Sequence, residues 1–148
     1  MDITYYIDEI DRLNREQDSV FHNLAVHLKT SDSVLCVLYI LSGADGCTQQ
    51  ELCSRCFFPK QTINTAVLSL AKRGYVTLET IPGTRNQKKI LLTDTGHELI
   101  RDKIEPILAA ERHAYRSLSD EELDACLRSI SKLTDALKTE FGKIINQN

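Results

Sequence analysis

The sequence predicts a mainly α protein with a small β-hairpin wing, a winged helix-turn-helix flanked by N- and C-terminal helices. Three observations predict this class. Two short helical segments, 49–56 and 59–73, have clear start and stop signals; an alternating strand pattern follows them; and long segments at both ends have apolar residues at helical spacing. We expect one domain of 148 residues, with a winged-helix core at about 33–92 and flanking helices at 1–30 and 94–148.

The first two helices are predicted from their apolar content. Residues 3–28 have an amphipathic stripe that needs a partner surface, and residues 33–41 are almost wholly apolar. We therefore expect the second helix to lie at the centre of the fold, behind the elements that follow. Turn residues at 42–46 end it.

The next two helices have recognisable ends. Thr48 followed three residues later by Glu51 is a capping box, which starts a helix over 49–56. Pro59 suits the first turn of the following helix, and Gly74 suits its C-terminal stop. Two short helices joined by a tight turn are typical of a helix-turn-helix.

The second helix of this pair has two different faces. Ile63, Val67 and Leu70 recur at helical spacing and are predicted to be buried, and short amides and hydroxyls on the other face suit base edges in a major groove. Any exposed helix is polar, so the prediction depends on the helix, the wing and the local charge together. The candidate DNA-binding residues of this helix are Lys60, Gln61, Thr62, Asn64, Thr65, Ser69, Lys72 and Arg73.

A hairpin is predicted directly after this helix. Residues 75–80 alternate apolar and polar side chains, a Pro-Gly turn follows, and residues 89–92 return as a second strand. The tip carries Arg85, Asn86 and Lys88, which are further candidates for DNA binding. A basic hairpin beside a recognition helix is a wing, and its tip can reach an adjacent minor groove.

The net charge of −3 conceals an uneven distribution. Seven basic residues against two acidic ones give the segment 48–92 a net charge of +5, which leaves −8 for the rest of the chain. The basic segment coincides with the predicted DNA-binding surface, as the release of counterions from phosphates requires.

The remaining chain is predicted to form long helices. Thr93 is the expected N-cap of a helix to about residue 116, Gly96 in its first turn permits a close backbone approach, and Pro106 predicts a kink or a break. Ser119 and Glu122 repeat the capping-box pattern at the start of a last helix with an apolar seam. Amphipathic terminal helices of this kind favour a two-fold dimer.

These residues resemble the multiple antibiotic resistance regulator (MarR) family of dimeric winged-helix transcription factors. The resemblance implies a cytoplasmic, ligand-responsive repressor that binds a pseudopalindromic operator as a homodimer. The present sequence departs from the family pattern at Gly83, where the family usually has an acidic residue two positions before its wing arginine. The matching pattern consists of Gln61, Thr62, Ile63 and Asn64, continued by Leu70, Gly74, Tyr75 and Val76, and, after the wing, Leu92, Thr93 and Gly96.

Small phenolic or lipophilic effectors are common in this family, and His22 and His113 are candidate residues of an effector cleft. The simpler interpretation, exposed or hydrogen-bonded histidines, is favoured over this one. A winged helix that binds protein instead of DNA is the alternative function.

The five cysteines permit a thiol or metal sensor. Cys47, Cys53 and Cys56 are weak candidates for a three-thiolate site, because a structural zinc site needs four ligands and no second cysteine pair follows. Structural thiols are favoured instead, with Cys36 and Cys126 on apolar helical faces. No phosphate-binding loop or catalytic motif is present, so neither a cofactor nor catalysis is expected. No apolar run is long enough to span a bilayer, and the polar N-terminus is unlike a signal peptide.

Overall fold

The computed structural model describes residues 1–147, and the chain divides into two compact units, Met1–Pro106 and the residues from Ile107 onward. The predicted mainly α class with a hairpin wing is confirmed. In chain order the elements are α1 (Ile3–His27), α2 (Asp32–Ser42), β1 (Cys47–Thr48), α3 (Gln49–Cys56), α4 (Lys60–Lys72), β2 (Val76–Thr80), β3 (Lys88–Leu92), α5 (Asp94–Leu99), a π-helical turn (Ile100–Ile104), α6 (Glu105–Tyr115) and α7 (Asp120–Ile145).

The core of the first unit forms around α2. Ser31 caps this helix by accepting a hydrogen bond from the Val34 N–H, and most of the following side chains are buried. Side chains from α3, α4, β3 and the π-helical turn complete the core. Its largest fully buried members are Val37, Leu41, Leu52, Ile63, Val67, Leu70, Ile90 and Ile104.

The sheet has three antiparallel strands in the order β1-β3-β2. The hairpin of β2 and β3 was predicted, but the two-residue strand β1 was not, because two residues are too few to show an alternating pattern. In β1, Cys47 pairs with Ile90. Thr48 pairs with Lys89 and also begins α3, where it forms the predicted capping box with Glu51. The wing is therefore joined directly to the start of the helix-turn-helix.

The regular α-helix is interrupted before Pro106, but not by the predicted break. The helix that Thr93 begins does not break; it widens into a π-helical turn immediately before Pro106, where the Glu105 N–H donates to the Ile100 carbonyl five residues back. Proline has no N–H to donate, so the regular hydrogen-bond ladder cannot continue through it. Ile100 and Ile104, at the two ends of this turn, are both buried.

Gly96 makes the close approach that the sequence predicts. A Cβ atom at this position would lie 2.0 Å from the Tyr75 carbonyl oxygen, which itself accepts a hydrogen bond from the Thr93 N–H. The Thr93 hydroxyl donates to the Gly74 carbonyl at 2.6 Å and accepts from the Gly96 N–H. These contacts attach the start of α5 to the end of the helix-turn-helix.

The long terminal helices are also present. Asp2 caps α1, and Ser119 with Glu122 forms the predicted capping box of α7. No single helix among residues 1–147 combines the length and apolar content needed to cross a membrane; α1 and α2 meet that test only jointly, as a pair bent by 88°.

Candidate nucleic-acid interface

Helix α4 has one buried and one exposed face. Ile63, Ala66, Val67 and Leu70 are at most 2% exposed, which confirms the predicted core face. Because these four side chains anchor the helix along its length, the opposite face is held rigidly at the surface.

The predicted DNA-binding residues of α4 lie on the outer side of the helix. Thr62 and Asn64 are half-buried at its edges. The Thr65 hydroxyl donates to the Gln61 carbonyl at 3.0 Å, which leaves its methyl group and oxygen lone pairs for other contacts. The exposed members of the set are Lys60, Gln61, Thr65, Ser69, Lys72 and Arg73.

Leu68 also belongs to this exposed face, with 53% of its surface accessible. The sequence indicates its position, since it lies off the Ile63, Val67 and Leu70 stripe, but Leu68 is not among the predicted site residues. An exposed leucine among amides and hydroxyls can contact a thymine methyl group.

The turn before α4 has an unusual backbone. Phe57 has a φ of 55° in the left-handed region, and its N–H donates to the Cys53 carbonyl at 3.1 Å to close α3. Its side chain is 84% exposed. The sequence predicts Pro59 as the first helical residue of α4, but in the structure Pro59 is the N-cap. Its carbonyl accepts a hydrogen bond from the Ile63 N–H.

The start of α2 lies beside the exposed face of α4. Ser31 and Ser33 border a groove of about 380 Å³ together with Gln61, Thr62 and Thr65. The groove places the N-terminus of α2, with Ser31 and Ser33, next to the predicted DNA-binding residues. Helix N-termini of this kind are suited to phosphate oxygens.

The wing tip is a tight, exposed loop. The strands pair from Val76 with Leu92 to Thr80 with Lys88, and the Ile81 N–H donates to the Gln87 carbonyl across the base of the loop. Gly83 has a φ of 79° and forms part of the turn. At this position, where the family usually has an acidic residue, the present chain therefore has a glycine with left-handed backbone geometry. The predicted wing residues Arg85, Asn86 and Lys88 are all exposed.

The basic residues of this surface are electrostatically uncompensated. Within residues 1–147, no ion pair involves any of the seven basic side chains between Thr48 and Leu92; the ion pairs lie in α1, α7, the π-helical turn and at the His22–Asp32 contact. Lys60, Lys72 and Lys88 therefore carry charge that no carboxylate neutralises.

Arg73 has a different environment from the other predicted phosphate contacts. It is the C-cap of α4, and its guanidinium carbon lies 5.1 Å from the centroid of the Tyr75 ring. Both residues line a cavity of about 330 Å³, together with the apolar Leu38 and Leu70 and the cationic Lys103. The cavity combines a hydrophobic interior with cationic groups.

Neither histidine of the predicted effector cleft lines this cavity. It is lined by His27, which was not singled out. His22 lies elsewhere, with its Nδ1 atom 2.9 Å from an Asp32 carboxylate oxygen. His113 is exposed on α6. The hydrogen-bonded or exposed state of His22 and His113 agrees with the simpler interpretation.

The cysteines of the weak metal prediction are not grouped as ligands. Within residues 1–147, no cluster of three or more His, Cys, Asp or Glu side chains is arranged to hold a metal ion. Cys47 is buried, and this burial raises the pKa of its thiol to about 11. Cys56 lies against Cys36 of α2 instead, with the two sulfur atoms 2.7 Å apart. The sequence does not show this contact, because it depends on how α2 and α3 pack.

A buried support helix, a helix-turn-helix and a basic hairpin define the first unit as a winged-helix protein. The family model of the MarR family matches residues 29–85. The resemblance predicted from the sequence is therefore confirmed for the winged-helix core. No curated protein sequence matches the chain significantly.

Solved structures show the same fold over most of the chain. NMB1585, a MarR family regulator from Neisseria meningitidis, has a TM-score of 0.83 at 17% identity, covering 93% of this chain and 97% of that one. MepR of S. aureus, solved as a DNA complex, has a TM-score of 0.69 at 17% identity, covering 89% and 97%. PcaV from Streptomyces coelicolor, solved with its natural ligand, has a TM-score of 0.66 at 22% identity, covering 84% and 90%. At these identities the likeness is one of fold.

Proposed function

We propose that the protein is a sequence-specific DNA-binding transcriptional regulator, a homodimeric repressor that binds a pseudopalindromic operator and is released by a small ligand. The observation that carries the proposal is the exposed face of α4. It presents amides, hydroxyls and unpaired lysines on a helix whose other face is fully buried.

Each part of the surface has a separate role in this proposal. Helix α4 enters the major groove, where Gln61 and Asn64 pair with adenine edges and Leu68 contacts a thymine methyl. Lys60 and Lys72 bind phosphates on either side. The wing places Arg85 in the adjacent minor groove, where a narrow A·T-rich segment attracts a guanidinium. MepR, which has the same fold, was solved as a DNA complex, and this supports DNA binding by the present chain.

The homodimer is supported by the terminal helices. In α1, of the residues that the structure describes, only Ala25 is buried, although the helix carries apolar side chains throughout. In α7, Ile130, Phe141 and Ile144 are each more than half exposed. Isolated soluble proteins rarely leave apolar surface of this extent uncovered. A second copy of the chain would bury it and would place two α4 helices on half-sites about 34 Å apart.

The ligand response is supported by the cavity beside Arg73. Its apolar wall and its cationic groups, Arg73, Lys103 and Lys29, suit a small amphipathic anion such as an aromatic carboxylate. Because Arg73 closes α4, a ligand there contacts the end of the recognition helix. A ligand that binds a DNA-incompetent state more tightly must weaken DNA binding by the same factor.

The proposal is tested by fluorescence anisotropy over a salt series, using the upstream intergenic duplex and a scrambled duplex. We expect at least about a thousandfold preference for the upstream duplex and a steep loss of affinity with salt. Arg85→Ala should weaken specific binding by about 1–3 kcal/mol. Gln87→Ala, an exposed neutral change in the same loop, is the matched control and should leave the affinity unchanged.

Two outcomes would count against the proposal. Equal affinities of the wild type and Arg85→Ala would show that the wing does not read DNA. Weak binding to every duplex, including those recovered from a random-sequence selection, would favour a winged helix that binds another protein.

A further inference from the structure

Two half-buried thiols from different helices are in direct contact in this fold. Cys36 lies on α2 and Cys56 is the last residue of α3, and their sulfur atoms are 2.7 Å apart although 20 positions separate them in the chain. Both remain partly accessible. We propose that Cys36 and Cys56 are the site of a reversible disulfide, formed by hydroperoxides, that ties the end of α3 to α2.

The geometry singles out this pair from the other cysteines. A disulfide has an S–S distance of about 2.05 Å, so the two sulfurs need to approach by only about 0.7 Å. Cys53 and Cys56 are three positions apart on one helix, where Cβ atoms lie about 5–6 Å apart, beyond the roughly 3.5–4.5 Å that a disulfide requires. Cys47 is buried in β1. The inter-helix pair can therefore close without unwinding α3.

The two thiols have different parts in the oxidation. Burial, followed by contact with Cys36, raises the pKa of Cys56 well above the ordinary range, so Cys56 is suited to the second step. In the first step the Cys36 thiolate attacks a peroxide oxygen; an S–O bond forms, the O–O bond breaks, and the leaving oxygen departs as water or an alcohol after taking a proton. The product is a sulfenic acid.

The second step closes the disulfide. The Cys56 sulfur attacks the sulfenic sulfur, the S–S bond forms and the S–O bond breaks. The departing hydroxide takes the Cys56 proton and leaves as water. Overall, two thiols and one hydroperoxide give one disulfide, one alcohol or water from the peroxide, and one water. A small dithiol reverses the bond by exchange.

The bond would act on the helix-turn-helix itself. Cys56 is followed immediately by Phe57, the left-handed residue that turns the chain toward α4. Fixing Cys56 to the central helix therefore fixes one end of that turn. The inference concerns the contact between α2 and α3 alone, and it stands whether or not the protein binds DNA.

The disulfide can be mapped with hydrogen peroxide as the oxidant and mass spectrometry without reduction. Combined cleavage after Lys or Arg and after Asp or Glu places each cysteine in its own peptide: Cys36 in 33–45, Cys47 in 46–51, Cys53 in 52–55, Cys56 in 56–60 and Cys126 in 125–128. We expect peptides 33–45 and 56–60 to be linked after oxidation and separated by dithiothreitol. Oxidised wild type without this link, or with Cys56 joined to 52–55, would overturn the proposal.

Thermal unfolding gives a second, independent readout. Oxidation should raise the Tm of the wild type by about 5–10 °C, because the bond constrains a long loop of the unfolded chain. Cys53→Ser is the matched control and should keep both the link and the shift. Cys36→Ser should lose both, and a persisting shift in that variant would contradict the assignment.

Discussion

Gly96 is the residue at which a single added methyl group meets the backbone of another element. Its Cβ would lie 2.0 Å from the Tyr75 carbonyl oxygen, and that oxygen is held by the Thr93 N–H at 3.1 Å. Neither group can retreat without breaking the junction between the helix-turn-helix and α5. We expect Gly96→Ala to lower the free energy of unfolding by about 1–3 kcal/mol, measured by urea denaturation.

A matched glycine is available in the same unit. Gly43 ends α2, and a Cβ there would meet only the Ile40 carbonyl oxygen, at an ordinary 4.0 Å. Gly43→Ala should therefore be neutral or stabilise the fold by up to about 1 kcal/mol. If both variants lost the same stability, helix propensity or a change in the unfolded state would explain the effect, and the close approach at Gly96 would not.

Single residues differ in how much the sequence reveals about them. Thr48, Thr93 and Ser119 were predicted as N-caps. A hydroxyl residue just before a helical pattern accepts a hydrogen bond from a free backbone N–H of the first turn, and this signal is local. Phe57 gave no such signal, since an aromatic residue is not the type expected at a positive φ. Its backbone is determined by the packing of α3 and α4, which lies beyond local sequence.

At the scale of elements, the most specific prediction about DNA binding concerns α4. Asn64→Ala should relax base preference by about 1–3 kcal/mol at one operator position, because the lost amide pairs with one adenine. The measurement is binding to a set of duplexes with single base changes, compared with the wild type. A loss of equal size at every sequence would make Asn64 a backbone contact instead.

Lys72 provides the contrasting variant on the same helix. It is exposed in the last turn of α4 and is predicted to bind phosphate. Lys72→Ala should weaken binding to all duplexes alike and reduce the salt slope by about 1. The two substitutions thus separate base reading from phosphate binding within one element.

The elements show where prediction from sequence ends. Helix α3 and the start of α7 were predicted almost to the residue, because caps and periodic apolar positions are both local signals. Strand β1 was missed because its pairing with β3 is a tertiary contact of only two residues. Pro106 indicated an interruption, but the π-helical form of the turn at 100–104 has no local signal in the sequence.

At the scale of the whole molecule, charge and apolar surface are separated along the chain. The segment 48–92 is positive, whereas the remainder is negative and includes the two terminal helices with exposed apolar residues. The candidate DNA surface could be predicted from this separation. The contact between Cys36 and Cys56 could not, since neither position differs from an ordinary core cysteine until α2 and α3 are packed together.

The exposed apolar side chains of α7 are expected to hold the dimer together. The wild type should sediment at twice the chain mass of 16.8 kDa. Ile130→Glu with Phe141→Glu should give the monomer at micromolar concentration, because burying two carboxylates in an apolar interface costs several kcal/mol. Both side chains are more than half exposed within the chain, so the monomer itself should remain folded by circular dichroism.

A charge-matched control separates the interface from a general effect of added charge. Ser129→Glu with Thr139→Glu places the same two charges on exposed positions of α7 outside the apolar seam, and it should leave the dimer intact. In a dimer, binding of one winged-helix core to the operator raises the effective concentration of the other core at its half-site. The monomeric variant should therefore lose most of its affinity for a full operator and little of its affinity for a single half-site. A folded monomer with undiminished operator affinity would contradict the dimeric mechanism, and a double variant that stayed dimeric would place the interface away from this face of α7.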